Sequence, residues 1–428
     1  MNKSIATSLF AIAASAAFAV PTINTESVKV TQAQSRTVTV AYELRNEPAI
    51  VTIDIQTNAV AGASDGWASV GDEHLSHMYG AVNRLVKDTS GTSYAYWTPD
   101  KAWPDGGFVQ NARAVVTAWA TNCPPNYMVI DLATKDVTFY TSSNAVPGGV
   151  TDRKYKTTSL VMRKIPAAGV IWNMGSPTGE TGRDNRGYET LHPVVITYDY
   201  YLSVYEVTQG QWVNMGYSNP SPDAQKAAEH AEIRPVTNRE FTNLRIGSNY
   251  NPANYTYKLK GHDVPSYVDM KALRSNFGID FDVPSSAEWE FACRAGEGAA
   301  FNDGTSSIEA VGWYLDNVKE TGSDGKNLPQ PVGLKAPNKW GLYDMHGNVQ
   351  EFICEYAATV SAVWKEGDPP VVNQALGNES GFWMLMRGGS ANAAESACRS
   401  AKCDTGAQSF NTGAYNGIRL WAPASYSK

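Results

Sequence analysis

Between about residue 20 and residue 164 the apolar positions fall in short β-branched runs separated by polar breaks. Thr37-Val-Thr-Val-Ala-Tyr-Glu-Leu44 and Ala49-Ile-Val-Thr-Ile-Asp-Ile-Gln56 flank Arg45-Asn46-Glu47-Pro48, which has the composition of a turn. Tyr127-Met-Val-Ile-Asp-Leu132 and Val137-Thr-Phe-Tyr140 repeat the pattern. Several short strands at this spacing predict an antiparallel β-sandwich. The stretch His74 to Lys87 fits a helix or a strand.

A short join, Lys164-Ile-Pro-Ala-Ala-Gly169, follows with no Ser/Gly/Pro tract, which predicts two domains packed together rather than tethered. Beyond it the pattern supports only two helices. Thr208-Gln-Gly-Gln211 and Ser285-Ser-Ala-Glu288 are both capping boxes, the second leading into Trp289, Phe291, Ala292 and Cys293 with Gly296 as a stop. The long Gly-, Asn- and Pro-rich stretches between them need fixing by something other than backbone ladders, such as bridges or bound ions. The expected division is a leader at 1–19, a sandwich at 20–164 and a second domain at 165–428.

The chain has 428 residues and is 43% hydrophobic, enough for two cores and too apolar for wholesale disorder. Only 18% of residues are charged, the net charge is −7, and no Lys/Arg cluster is present, so a nucleic-acid footprint is missing. Lys3, the apolar stretch Ser4 to Ala16 and Ala17-Phe18-Ala19 read as an export signal, and no later stretch reaches the length of a membrane span. The expected location is therefore periplasmic or extracellular, where disulfides persist. Five cysteines then allow at most two bridges and one thiol left over.

Candidate chemistry is sparse. His74 and His77 sit three apart but lack a third ligand, so surface histidines are favoured over a metal pair. Trp97, Trp103 and Trp119 fit core packing better than a sugar-stacking platform. In Asp344-Met-His-Gly-Asn-Val-Gln-Glu351 two carboxylates bracket a Gly-Asn turn. Oxygens could converge there on calcium, although such a stretch is usually an ordinary turn. His346 lies among oxygen donors and reads as a surface residue. Nothing resembles a Ser-His-Asp or paired-carboxylate hydrolase.

Five blocks recur in an order known from one family. They are Trp172-Asn-Met-Gly-Ser176 with Tyr205-Glu-Val-Thr208, then Val283-Pro-Ser-Ser-Ala-Glu-Trp-Glu-Phe-Ala-Cys-Arg-Ala-Gly296, then Asn338 to Phe352, then Arg387-Gly-Gly-Ser390, and Asn416-Gly-Ile-Arg419. Spread over residues 170–421, they are similar to the formylglycine-generating (sulfatase-modifying factor) family. The resemblance implies an α+β, C-type-lectin-like fold with little regular secondary structure, here preceded by the antiparallel β-sandwich.

It also implies calcium held by the Asp344 side chain, the Gly347 and Val349 carbonyls and Glu351. A second calcium would lie at Asn317, the Val318 carbonyl and Asp324, where loop length departs from the family. By the same resemblance Cys293 pairs with Cys403; Cys354 and Cys398 then remain as a second pair in an exported protein, and Cys123 is left over. Active members hold copper(I) between two thiolates, three and eight positions after Gly-Gly-Ser, and soft thiolates suit that ion. Here the eighth position is Cys398, but the third is Ala393; Gln350 and Ala397 replace aromatic residues of the active pattern, leaving Ser390 and Cys398. Copper is therefore not expected. Two readings follow: a secreted, non-catalytic module binding a peptide, protein or glycan, or alternatively a drifted formylglycine-generating oxidase acting on a protein cysteine through Cys398 and Ser390. The oxidase needs two free thiols beside Gly388-Gly389-Ser390; the binding module needs none.

Overall fold

The computed structural model describes residues 20–427 except 61, 63, 100–110, 185–186, 247–267, 305–306, 357–368, 374–382 and 409–412. The expected leader and Trp103 lie outside the described residues.

Alternation builds the sandwich. Along Val38–Arg45 every second side chain, Val38, Val40, Tyr42 and Leu44, is buried while its neighbours are not. This strand lies in a four-stranded antiparallel sheet ordered Thr22–Gln32, Val38–Arg45, Thr92–Trp97, Met78–Gly80. The expected turn carries it into Ala49–Asn58, with Asn46 at φ 75°, and that strand pairs antiparallel with all ten residues of Asn111–Ala120. Val40, Leu44, Ile53, Ile55, Val86 and Trp97 from the two sheets share one core. The ambiguous stretch resolves into a 3-10 turn at Asp72–Leu75 and two short strands, Met78–Gly80 and Arg84–Val86.

A five-stranded antiparallel sheet runs Val137–Tyr140, Tyr127–Asp131, Ser159–Ile165, Tyr200–Ser203, Trp421–Pro423. The expected join at 164/165 therefore falls at the end of a strand whose partners come from both sides of it. Met128, Ile130, Phe139 and Leu160 share a core with Trp212, Phe352 and Leu420, so the chain on either side of the join is one packed body there.

The remainder is α+β with short elements. Both capping boxes form, Thr208 with Gln211 and Ser285 with Glu288. All nine residues of the helix Ser286–Arg294 are buried. It stops at Ala295 in the left-handed region (φ 46°), one residue before the expected Gly296. Beside it lies a four-stranded sheet ordered Cys403–Gln408, Trp383–Arg387, Gln350–Tyr356, Asn416–Gly417. Among the described residues, no helix is long and apolar enough to cross a membrane.

The irregular segments are tied by buried arginines instead of the expected bridges. Arg387 donates to the carbonyls of Ser400 (3.2 Å) and Ala401 (2.9 Å), and Arg419 to those of Ser203 (2.9 Å), Val204 (3.1 Å) and Tyr343 (2.9 Å). All five cysteines are thiols. For Cys354 and Cys398 the reason is placement, because they pack in different cores, one with Phe352 and Met386 and the other with Phe301 and Tyr314. Cys293 and Cys403 do share a core, but the Cys293 sulfur faces the Met345 carbonyl (3.8 Å), His346 Nε2 (3.7 Å) and Ser400 Oγ (3.7 Å).

Candidate functional site

Gly388 (φ 92°) and Gly389 (φ 71°) make the turn that opens the candidate centre. A Cβ at Gly389 would sit 2.5 Å from the Cys398 sulfur and 2.7 Å from the Ala397 carbonyl, so only glycine lets the turn lie on that segment. Ser390 follows, buried; its carbonyl accepts from the Ala393 N–H (2.9 Å) and its Oγ from the Asn392 N–H (3.4 Å). These bonds give Ser390 a structural occupation.

Cys398 closes the 3-10 turn Glu395–Cys398. Its thiol donates to the Ala394 carbonyl at 3.7 Å and packs with Phe301, Ile308, Val311 and Tyr314, with Ala393 against the same cluster. Burial pushes that thiol up to about 12, only partly opposed by the Ser390 backbone N–H, so without a metal it is protonated and a poor nucleophile at neutral pH. Copper(I) does not fit: the position facing Cys398 in the family's pair carries a methyl, at Ala393, and the one thiol present is apolar-packed. Gln350 instead reaches Asp404 (3.4 Å).

The segment is held by an unexpected residue. His346 is fully buried, not on the surface. Its Nε2 accepts the Asn302 N–H at 3.0 Å, which leaves the proton on Nδ1, and Nδ1 donates to the Cys398 carbonyl at 2.7 Å. Phe301 meets the ring edge-on at 5.2 Å. Burial lowers the imidazole to about 4, so it is neutral.

The expected calcium residues meet a second buried cluster. Glu351 accepts from Trp289 Nε1 (2.6 Å) and, through both oxygens, from Arg419 Nε (2.8 and 3.0 Å). Glu206, which sequence reasoning did not single out, accepts from Asn348 Nδ2 (2.7 Å) and the Val349 N–H (3.1 Å). Burial, then the Asp344 and Glu351 charges, raise it well above the carboxylate range.

Asp344 takes a left-handed conformation (φ 56°), and its Oδ2 accepts from the Gly333 N–H at 2.7 Å. Its Oδ1 is buried without a hydrogen-bond partner, and burial raises the carboxyl to about 6. An orphaned carboxylate oxygen beside two further acids fits a cation at Asp344. Glu351 does not fit as a ligand, because its oxygens are committed to Arg419 and Trp289. Calcium here would thus be held by Asp344 with the Gly347 and Val349 carbonyls.

The second expected set is engaged in local hydrogen bonds. Asn317 closes its own turn, accepting from the Tyr314 N–H (2.9 Å) and donating to the Gly312 carbonyl (3.0 Å), while Asp324 accepts from the Lys326 N–H (3.2 Å). The Val318 N–H donates to the Tyr314 carbonyl (3.3 Å). Among the described residues no group of three His, Cys, Asp or Glu side chains is arranged around a metal, and this includes His74 and His77. Trp97 and Trp119 pack into the protein and donate to the His74 carbonyl (2.9 Å) and Thr52 Oγ1 (2.8 Å).

Arg419 and Glu206 were visible in the sequence as lone charges inside apolar blocks, Ile418-Arg419-Leu420 and Tyr205-Glu206-Val207. A charge that cannot avoid burial in such a block calls for a partner, which Arg419 finds in Glu351 and Glu206 in Asn348 and the Val349 N–H.

The profile of the sulfatase-modifying factor enzyme 1-like domain matches residues 161–423. A chain from Paenibacillus barcinonensis named chaperone protein LppX is 29% identical over 176 residues, 37% of this chain and 62% of that one. The formylglycine-generating enzyme of Thermomonospora curvata is 33% identical over 124 residues, 27% of this chain and 40% of its own length. The mouse enzyme is 30% identical over 137 residues, 30% and 35% of the two chains. This chain thus spans less than two thirds of these relatives. Among solved structures, PvdO from Pseudomonas aeruginosa aligns over 61% of this chain and 94% of its own at 22% identity, with a TM-score of 0.45.

Proposed function

The chain belongs to the sulfatase-modifying factor enzyme 1-like domain family, and from that premise we propose that this member is a non-catalytic binding module rather than an oxidase. The reading is carried by one observation: where active members are expected to offer two thiolates, this chain offers the Ala393 methyl and a buried Cys398 thiol pushed up to about 12. Related chains carry both kinds of name, a chaperone and formylglycine-generating enzymes, so the chemistry at this position decides. The proposed partner is a peptide, protein or glycan. Export to the periplasm or exterior is part of the proposal and rests on Lys3, the apolar run and Ala17-Phe18-Ala19. Calcium at Asp344 is likewise proposed, as a structural ion supplying a charge that the buried acids lack.

Copper(I) titration against a chromophoric chelator tests the reading. The native protein should leave the chelator's copper untouched. Tight one-to-one capture that Cys398→Ser abolishes would instead support the oxidase.

A further inference from the structure

Residues 177–181 and 299–304 face the turn Glu395–Cys398 across a cleft of about 460 Å³, within the usual range of ligand sites. Glu180, Thr181, Phe301, Glu395, Ser396 and Arg399 line it. An arginine in such a wall suggests an anion site, but here every N–H of the guanidinium is spent inside the protein. Nε donates to the Ser396 carbonyl (2.9 Å). One terminal nitrogen serves Glu180 and Glu189 (2.9 Å to the latter), and the other serves the Gly182 carbonyl (2.6 Å) and Glu189 again (2.9 Å). No guanidinium donor remains for an incoming phosphate or carboxylate.

The charge balance points the other way. One guanidinium faces two carboxylates, and among the described residues it is the one cation in the lining. Lys402, behind it, is spent on Asp184 (2.9 Å) and Asp404 (3.2 Å). Glu395 uses Oε1 to accept from the Ile308 N–H (3.2 Å), which leaves its other oxygen for a ligand. Glu180 bonds Arg399 through one oxygen only, and its side chain is 10% exposed, so its charge is weakly screened. The small residues Ala299, Ala300 and Gly304, with the edge of the buried Phe301, give the same cleft an apolar wall. The loop is fixed against the turn, since a Cβ at Gly182 (φ 81°) would lie 2.6 Å from the Ser396 Cβ.

We propose that this cleft takes an organic cation, the ammonium-bearing side chain of a peptide or protein partner. The methylenes lie along Ala299 and Ala300 and the charged head meets Glu395 and Glu180. The proposal rests on the reading of the chain as a binding module and names the chemistry of its ligand. Calorimetric titration of the full chain with Nα-acetyl-lysine amide and its neutral isostere Nα-acetyl-norleucine amide tests it. The lysine probe should bind at least about fivefold more tightly, and more weakly as salt is raised.

Glu395→Gln keeps the acceptor for Ile308 and should cost about fivefold in lysine affinity, with norleucine unchanged. Ser396→Trp, at an exposed position, should block both probes. Asp223→Asn, whose side chain is 98% exposed outside the cleft, should change nothing. Equal affinity for the two probes, no saturable lysine binding, or full affinity in Glu395→Gln would each overturn the proposal. None of these outcomes touches the copper titration, so the two readings fail separately.

Discussion

Acid should unfold this protein partly through His346. The ring sits fully buried between Asn302 and Cys398, and burial lowers its pKa from 6.5 to about 4. In the unfolded chain the imidazole takes a proton below its ordinary pKa, and in the folded chain it cannot. Its contribution to stability is therefore complete above pH about 6.5 and is lost as the pH falls towards about 4. A depression of that size is worth roughly 3 kcal/mol, with a local slope of up to about 1.4 kcal/mol per pH unit.

Urea unfolding of the wild type and of His346→Gln, at several pH values between about 7 and 4.5, isolates this term. The variant should be less stable at neutral pH, by about 1–3 kcal/mol for the orphaned Asn302 and Cys398 backbone groups, and the gap should close as the pH falls. Parallel curves, with the same gap at every pH, would refute the assignment of the neutral ring to this position.

Three further outcomes follow from the buried groups. Native protein should expose one reactive thiol, Cys123, and denatured protein five, by Ellman titration without reductant; fewer than five after denaturation would restore the expected bridges. Arg419→Met should strand Glu351 in the core and cost about 3–5 kcal/mol in denaturant unfolding, whereas a loss under about 1 kcal/mol would contradict the pairing. Chelation should lower the melting temperature, since calcium at a hundredfold excess over its dissociation constant stabilises by about 2.7 kcal/mol. Asp344→Asn should remove that response, and melting indifferent to chelator would eliminate the ion.

The strands and both helix starts were legible because their causes are local. Alternation at Val38 to Leu44 and the reciprocal caps at Thr208/Gln211 and Ser285/Glu288 need no knowledge of distant residues. The family blocks were legible for the same reason, including Ala393 at the decisive position. What the sequence left open is set at long range. The strand Ser159–Ile165 pairs with Tyr127–Asp131 and with Tyr200–Ser203, and no window around residue 164 contains both partners. His346 reads as polar and exposed in its own block; its burial is set by Asn302, Phe301 and Cys398, far away in sequence. Cysteine arithmetic counted sulfurs without knowing that Cys354 and Cys398 enter different cores. The loops were correctly expected to need fixing, but the agents are Arg387, Arg399 and Arg419, whose carbonyl partners no spacing rule reveals.

The central claim is that this member of the family does no cysteine oxidation, and formylglycine formation measures that directly. The protein, loaded with copper(I) in air, is incubated with a Cys-x-Pro-x-Arg peptide, and the aldehyde is sought by mass spectrometry. The account predicts unmodified peptide, because Ala393 offers no thiolate and leaves Cys398 as a lone thiol in apolar packing. Aldehyde formed by the wild type and lost in Cys398→Ser would contradict it.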